Sequence, residues 1–208
     1  VMKYLSEQGV KSGQTLALNM QDPTAHCSAM IGAMASGVAT LSTAGAKPIL
    51  PQNLAVHAML SDHPVTVEGD LKVLTVTQNW LKDQQFGDVG LNPGGMSRDA
   101  VARIITTSGT TGEQKAVPFT EEQLVERVHA QIVGLRPLAG PSKTLGMMGV
   151  ASGAGFTNMM LILMTGGTLM LVPGLAQVSR VSSLYKMDRI LDSTAQLIEM
   201  LRQQENDI

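Results

Sequence analysis

Apolar residues in this chain come in short runs broken by glycine, proline and charged turns, and two periods are mixed among them. Residues 15–20 (Thr-Leu-Ala-Leu-Asn-Met) read as a short buried strand. Asp22-Pro23 then supplies an N-cap and a proline for the first helical position. The helix that follows carries Cys27, Ile31, Met34 and Val38 near one stripe, with Ala29, Gly32, Ala33, Ala35, Ser36 and Gly37 at its other positions. Side chains that small let a helix lie close to a sheet. Ahead of this unit, residues 1–8 read as the tail of a helix stopped by Gly9. A chain that opens inside an element is expected to be a piece of a longer one.

The same alternation continues. Residues 45–51 form a turn region, 54–60 a helix, and 64–68 and 73–77 strands. Residues 83–99 are polar and glycine-rich and predict a surface loop, the best internal linker in the chain. Residues 101–106 read as a strand apolar throughout, and 116–119 as another. Thr120-Glu121-Glu122-Gln123 is a capping box. The helix it opens buries Leu124, Val128, Ile132 and Leu135 and leaves His129 on its outer face. A strand (145–150), a helix (156–165), a strand (168–172), a helix (178–187) and a short strand (189–191) follow. Ser193-Thr194-Ala195-Gln196, a second capping box, opens a helix through about Gln204. Strands alternating with helices over short connections predict an α/β fold: a mostly parallel sheet with helices on both faces and residues 101–106 as an inner strand.

Composition narrows the class. Charged residues are only 15% of the 208, against 44% apolar, which is low for a free-standing domain. That scarcity predicts faces covered by another part of a longer protein, and self-association of the isolated chain. The net charge of −2 gives no basic surface for nucleic acid. Cys27 is the single cysteine, so no internal disulfide forms. With no signal peptide visible at the start, the chain fits a reducing, cytoplasmic compartment. Residues 144–179 carry no charge, yet Gly166-Gly167 and Pro173 interrupt them and the strictly apolar core 159–164 is too short to span a bilayer. A buried β-α-β unit is the better reading. No Cys/His cluster has metal-ligand spacing, and no Ser/His/Asp set is marked. Cys27 and His26 read as a core thiol and a helix-end imidazole rather than as reactive groups.

One stretch carries candidate chemistry. After residues 101–106 the chain runs Thr107-Ser108-Gly109-Thr110-Thr111-Gly112-Glu113-Gln114-Lys115. Glycines let backbone N–H groups approach a ligand, and successive N–H groups in a turn form an anion-binding concavity. Thr107, Ser108, Thr110 and Thr111 add hydroxyl donors and Lys115 a mobile positive charge, a set that suits a polyphosphate. It is not a Walker A loop, because Gln114 precedes the lysine and Ala116 follows it. The bland alternative is a polar turn between two strands.

The run from Thr107 to Gly112 followed by Lys115 resembles the phosphate-loop signature of the acyl-adenylate-forming (AMP-binding) enzyme superfamily, which includes acyl-CoA synthetases, luciferases and peptide-synthetase adenylation domains. The usual form has an aromatic, a Pro and a Gly where this chain has Thr106, Gln114 and Ala116. Residues 9–18 are similar to the family's opening turn and strand, with Gln14 in the place of a usual Asp. Residues 146–173 resemble the segment that helps wall the acyl pocket, although Ala151-Ser152-Gly153 lacks the aromatic or His often found before that Gly. The resemblance implies that Thr107, Ser108, Gly109, Thr110, Thr111, Gly112 and Lys115 bind ATP phosphates, with Lys115 also catalytic. By position it makes Gly155, Phe156, Asn158 and Met159 acyl-pocket candidates, against the plainer reading of helix packing. It further implies that residues 1–208 are the N-terminal part of an AMP-binding domain. The remainder would carry the adenine contacts, the acidic Mg²⁺ residue, the ribose-binding Asp and a mobile domain with a further catalytic Lys. The expected activity of the longer protein is ATP- and Mg²⁺-dependent activation of a small carboxylic acid, then transfer to coenzyme A or a carrier thiol, with the isolated chain inactive. Two competing readings are a non-catalytic nucleotide- or phosphate-binding module and a plain structural domain.

Overall fold

The structure, a computed structural model, describes residues 1–77, 79–83, 97–108, 114–134, 141–172, 177–191, 193, 195, 197–199 and 202. The chain falls into two compact units, Val1–Val125 and Glu126–Ile208.

The first unit is built on a six-stranded sheet of order β4-β3-β1-β2-β5-β6. Its strands are β1 (Thr15–Asn19), β2 (Ala39–Ser42), β3 (Ala58–Ser61), β4 (Lys72–Thr75), β5 (Val101–Ser108) and β6 (Gln114–Thr120). All neighbours pair in parallel except β5 and β6, which form an antiparallel hairpin. Every residue of β1 is buried, as a central strand covered on both faces requires.

Helix α1 (Met2–Glu7) ends ahead of Gly9, and α2 (Pro23–Ala35) links β1 to β2. Asp22 caps α2 by accepting from the N–H groups of Thr24 (2.7 Å) and Ala25 (3.1 Å), with Pro23 opening the helix. The helix closes at Gly37 (φ 72°), whose N–H reaches the Met34 carbonyl while that of Val38 reaches Ala33. Only glycine takes that left-handed turn without cost. The buried face of α2 is Ala25, His26, Ala29, Met30 and Ala33, not the stripe expected through Cys27, Ile31 and Met34. Ile31 is exposed and Cys27 half-buried, while three alanines share the buried face with His26 and Met30. The opposite face of the sheet presents Ala39, Leu41 and Ile104 to Leu50, Leu54 and Val56. The helix expected over 54–60 does not form: its second half is strand β3. The strand expected over 64–68 does not form: residues 64–67 take no regular structure and a bend begins at Glu68. Trp80–Asp83 (α3) is a helical turn that the pattern did not announce. Most of the predicted 83–99 loop lies outside the described residues.

Helix α4 (Glu121–Gly134) follows β6, and the unit boundary falls within it. Its capping box forms as read: Thr120 Oγ1 accepts from the Gln123 N–H (3.2 Å) and Gln123 Oε1 from the Thr120 N–H (3.0 Å). Leu124 and Val128 are buried, while Leu135 lies outside the described residues.

The second unit carries a three-stranded parallel sheet of order β8-β7-β9, with β7 (Lys143–Gly146), β8 (Thr168–Leu171) and β9 (Arg189–Leu191). Helix α5 (Gly153–Met164) joins β7 to β8, and α6 (Val178–Tyr185) joins β8 to β9. Leu145 packs with Val178, Val181 and Ile190 of the α6 side. Gly146, Leu169 and Leu171 meet Asn158, Met159 and Ile162 of α5. Adjacent strand residues point to opposite faces, so the two helices cover opposite faces of this sheet. Ser193 lies beyond β9; its predicted capping partners Thr194 and Gln196 are outside the described residues.

Candidate phosphate-binding hairpin and the site behind it

The hydroxyl- and glycine-rich stretch begins at the end of β5 and finishes at the start of β6, and these two strands pair antiparallel. The ladder pairs Thr107 with Lys115 and Ser108 with Gln114. Directly opposed residues put their side chains on one face of the hairpin, with Cβ atoms about 5 Å apart. Thr107 and Lys115 are both exposed, so one hydroxyl and one ammonium face solvent together. Gly109, Thr110, Thr111 and Gly112 lie outside the described residues. Because β5 runs parallel to β2 and β1, the stretch leaves from the carboxyl ends of the parallel strands, the edge where ligands bind in open α/β sheets.

Behind that stretch is a buried polar group that sequence reading missed. Arg103 interrupts the strand taken as apolar throughout, and it is fully buried. Its Nη1 donates to Thr40 Oγ1 (3.2 Å) and its Nη2 to Ser42 Oγ (2.6 Å), both on β2. Ser42 Oγ also meets Nε2 of the buried His26 on α2 at 2.7 Å. A guanidinium only donates, so Ser42 accepts from Arg103, while the direction of its bond with His26 follows the imidazole tautomer. Burial, then the charge of Arg103, lower the His26 pKa to about 4, against a smaller opposing pull from Asp62. Burial likewise lowers Arg103 to about 10, which keeps it charged at neutral pH. The sequence did hold a signal: an arginine between Ala102 and Ile104 in an otherwise apolar strand. Cys27, by contrast, has its thiol pushed up to about 11 by burial, which makes it unreactive.

At the carboxyl ends of β1 and β3, Asp62 accepts from the backbone N–H groups of Gln21 (2.9 Å) and Asp22 (2.8 Å) and from His63 Nδ1 (2.9 Å). Burial alone would raise its pKa, but these bonds outweigh it and hold the carboxyl below its ordinary value. The carboxylate thereby occupies the N–H groups that could otherwise hold an anion.

The four acyl-pocket candidates sit on α5. Ser152 caps the helix, accepting from the Gly155 N–H (3.0 Å) and donating to the Gly149 carbonyl (2.9 Å). A Cβ on Gly155 would stand 2.2 Å from that same carbonyl oxygen, so close packing alone accounts for the glycine. Gly155, Asn158 and Met159 line a cavity of about 10 Å³, room for one water. Phe156 is fully buried and takes no part in that lining. A larger concavity, about 490 Å³, lies in the first unit at the amino ends of β1, β2 and β5, where Thr15, Ala39 and Val101 begin those strands. Among the described residues no helix is long and apolar enough to cross a membrane.

No curated protein matches the chain significantly. Solved structures do. The N-terminal subdomain of NpsA from Klebsiella oxytoca is 18% identical with a TM-score of 0.70, covering 91% of this chain and 50% of that one. VinN in complex with L-aspartate is 17% identical (TM-score 0.72; 97% of this chain, 55% of that one). The o-succinylbenzoate CoA synthetase MenE from Bacillus subtilis, in complex with the acyl-adenylate intermediate OSB-AMP, is 16% identical (TM-score 0.72; 97% and 55%). At such identities the likeness is one of fold, and this chain spans about half the length of each structure. The sequence profile of the AMP-binding enzyme family matches residues 2–190, and with nearly the whole chain inside that match, the protein belongs to the AMP-binding enzyme family.

Proposed function

We propose that the chain is part of an ATP-dependent carboxylate-activating ligase, with the β5–β6 turn holding the phosphates of ATP. The observation that carries this reading is the register of Thr107 against Lys115 at the carboxyl edge of the parallel strands. A carboxylate is a poor acyl donor because its oxygen leaves badly. Attack of a carboxylate oxygen on the α-phosphorus of ATP breaks the bond to the β-phosphate bridging oxygen and gives acyl-AMP and pyrophosphate. The hydroxyl of Thr107 and the ammonium of Lys115 would hold the β- and γ-phosphates and offset negative charge as pyrophosphate departs, which is positioning and electrostatic stabilisation rather than covalent chemistry. A thiol, coenzyme A or a carrier thiol, would then take the acyl group from AMP.

The family resemblance implies Mg²⁺ as well. Among the described residues no group of three or more His, Cys, Asp or Glu side chains converges; the acidic residue that the resemblance assigns to Mg²⁺ would lie in the remainder of the longer protein, and no step here depends on the ion. The isolated chain is expected to form no acyl-adenylate. The test is pyrophosphate release by the longer protein from ATP with a panel of small carboxylic acids. Release that depends on both acid and ATP supports the ligase. Phosphate protection of the Thr107 and Lys115 amides without any acid-dependent release supports a binding module instead.

A further inference from the structure

We propose that the outer face of α6, with Arg180, Leu184 and Lys186, is a docking surface for an acidic helical segment of a partner protein. The inference is independent of the phosphate-binding reading. Charge is unevenly spread along the chain: residues 127–187 contain five Lys or Arg and no Asp or Glu, although the whole chain carries 17 acids. Three of those cations, Lys143, Arg180 and Lys186, lie on α6 or at its end, within the second unit. Lys143 Nζ donates to the Tyr185 carbonyl in the last turn (3.4 Å), a favourable place for a cation. Asp188 is the next acid along the chain, and its carboxylate accepts from the Lys143 backbone N–H (2.8 Å).

Three exposed positions of α6 go against the local rules for a helix. Arg180 is the third residue, at the positive end of the helix, where an acid is the stabilising choice. Among the described residues no carboxylate pairs with it. Leu184 stands one turn further along the same face and is 68% exposed, whereas Val178 and Val181 pack on the core. Lys186 ends the helix in the left-handed conformation (φ 51°), which glycine takes without strain. None of the three choices serves the helix itself. Departures from local consistency that bring no structural gain collect at functional surfaces.

Charge complementarity and spacing define the occupant. Arg180 and Lys186 are about 9 Å apart along the axis, with Leu184 between them. A partner helix with two acids seven residues apart, about 10 Å, around an apolar residue matches that row. The acids meet the cations at the rim and the apolar side chain covers Leu184. A bilayer needs a broader apolar face than Leu184 and Tyr185 offer. A nucleic-acid backbone would leave Leu184 unused and would meet a chain of net charge −2.

The test uses the 208-residue chain at concentrations where sedimentation shows monomer. The probe is a helical peptide of about 20 residues with Glu, Leu and Glu at that spacing, and its control carries Gln for Glu. The Glu peptide is expected to shift the amides of Arg180, Leu184 and Lys186 and to bind less well as salt rises. The Gln peptide should bind roughly tenfold more weakly. Arg180→Glu and Lys186→Gly should each weaken binding roughly three- to tenfold while raising the melting temperature, because each restores a local rule. Leu184→Ser should weaken binding by a similar factor and leave the melting temperature unchanged. Unchanged peptide binding in the three variants overturns the proposal, as does equal binding of the two peptides. Weaker binding accompanied by lower melting temperatures would mark structural residues instead. No peptide response, with variant-sensitive binding to phosphatidylserine vesicles or duplex DNA, would reassign the face to a membrane or a nucleic acid and equally overturn it.

Discussion

At the scale of single residues, the groups that matter divide by exposure. Lys115 is exposed beside Thr107, and its proposed work is to offset charge on departing pyrophosphate. In the longer protein Lys115→Ala should lower the adenylation rate roughly ten- to a thousandfold, the usual scale for losing one preorganised electrostatic contact. Thioester formation from supplied acyl-AMP should change little, since pyrophosphate has already left. Equal losses in both half-reactions would assign Lys115 to the fold or the acyl site instead. His26 is the buried counterpart. Its folded pKa of about 4 lies below its ordinary value of 6.5, so the unfolded chain binds the extra proton first. Stability from His26 is therefore complete above about pH 6.5 and falls as the pH drops toward 4, by on the order of 3 kcal/mol in all. Asp62 and Arg103 are the charged groups coupled to it. Denaturant melts between pH 7 and pH 4.5 should show a steeper loss in the wild type than in His26→Gln, in which Asp62 still titrates. Parallel slopes would mean that His26 takes up its proton without strain.

At the scale of elements, local rules with one physical answer read through to the structure, and ambiguous periods did not. The Asp22-Pro23 cap and the Thr120–Gln123 box form because each satisfies specific N–H groups within a few residues, whatever the rest of the chain does. Thr120→Ala and Gln123→Ala should each cost about 1 kcal/mol, and the double variant less than their sum, measured by denaturant melts. Residues 54–60 went wrong because apolar residues at 54, 56, 58 and 60 fit strand alternation as well as a helical stripe, and pairing of Ala58–Ser61 with both β1 and β4 decided the matter. The stripe of α2 was misplaced because only its larger apolar residues were counted, whereas the buried face combines Ala25, Ala29 and Ala33 with His26 and Met30. The stretch proposed to bind phosphate was visible in the sequence only as composition; the opposition of Thr107 and Lys115 needed the hairpin register, and the buried arginine was lost by averaging over its strand. Gly155 is the sharpest element-level test on α5. Gly155→Ala drives a methyl against the Gly149 carbonyl and should cost about 1–3 kcal/mol in a thermal or denaturant melt. An unchanged melting temperature would show that the turn at 149–152 yields freely.

At the scale of the whole molecule, the question is what its apolar surface does. Single exposed hydrophobic residues are ordinary on folded proteins. Here they are large and strongly exposed on irregular and helical segments alike: Ile49 is 71% exposed, Leu184 68% and Val133 65%, with Leu163, Met164 and Tyr185 also exposed. With charged residues only 15% of the chain, little repulsion opposes association of such surfaces. The structures with the same fold are about twice as long as this chain, which accords with apolar faces that a longer protein covers. The isolated chain is therefore expected to self-associate, and sedimentation velocity should show a concentration-dependent rise in mean mass. Salt should strengthen the association if apolar contact drives it, since surface ion pairs would weaken under the same treatment. Leu184→Lys combined with Ile49→Lys should shift the distribution toward monomer without lowering the melting temperature, because neither side chain contributes to the core. A clean monomer at high concentration in the wild-type chain would show that these residues are too scattered to form a patch, and the low charge would then need another explanation.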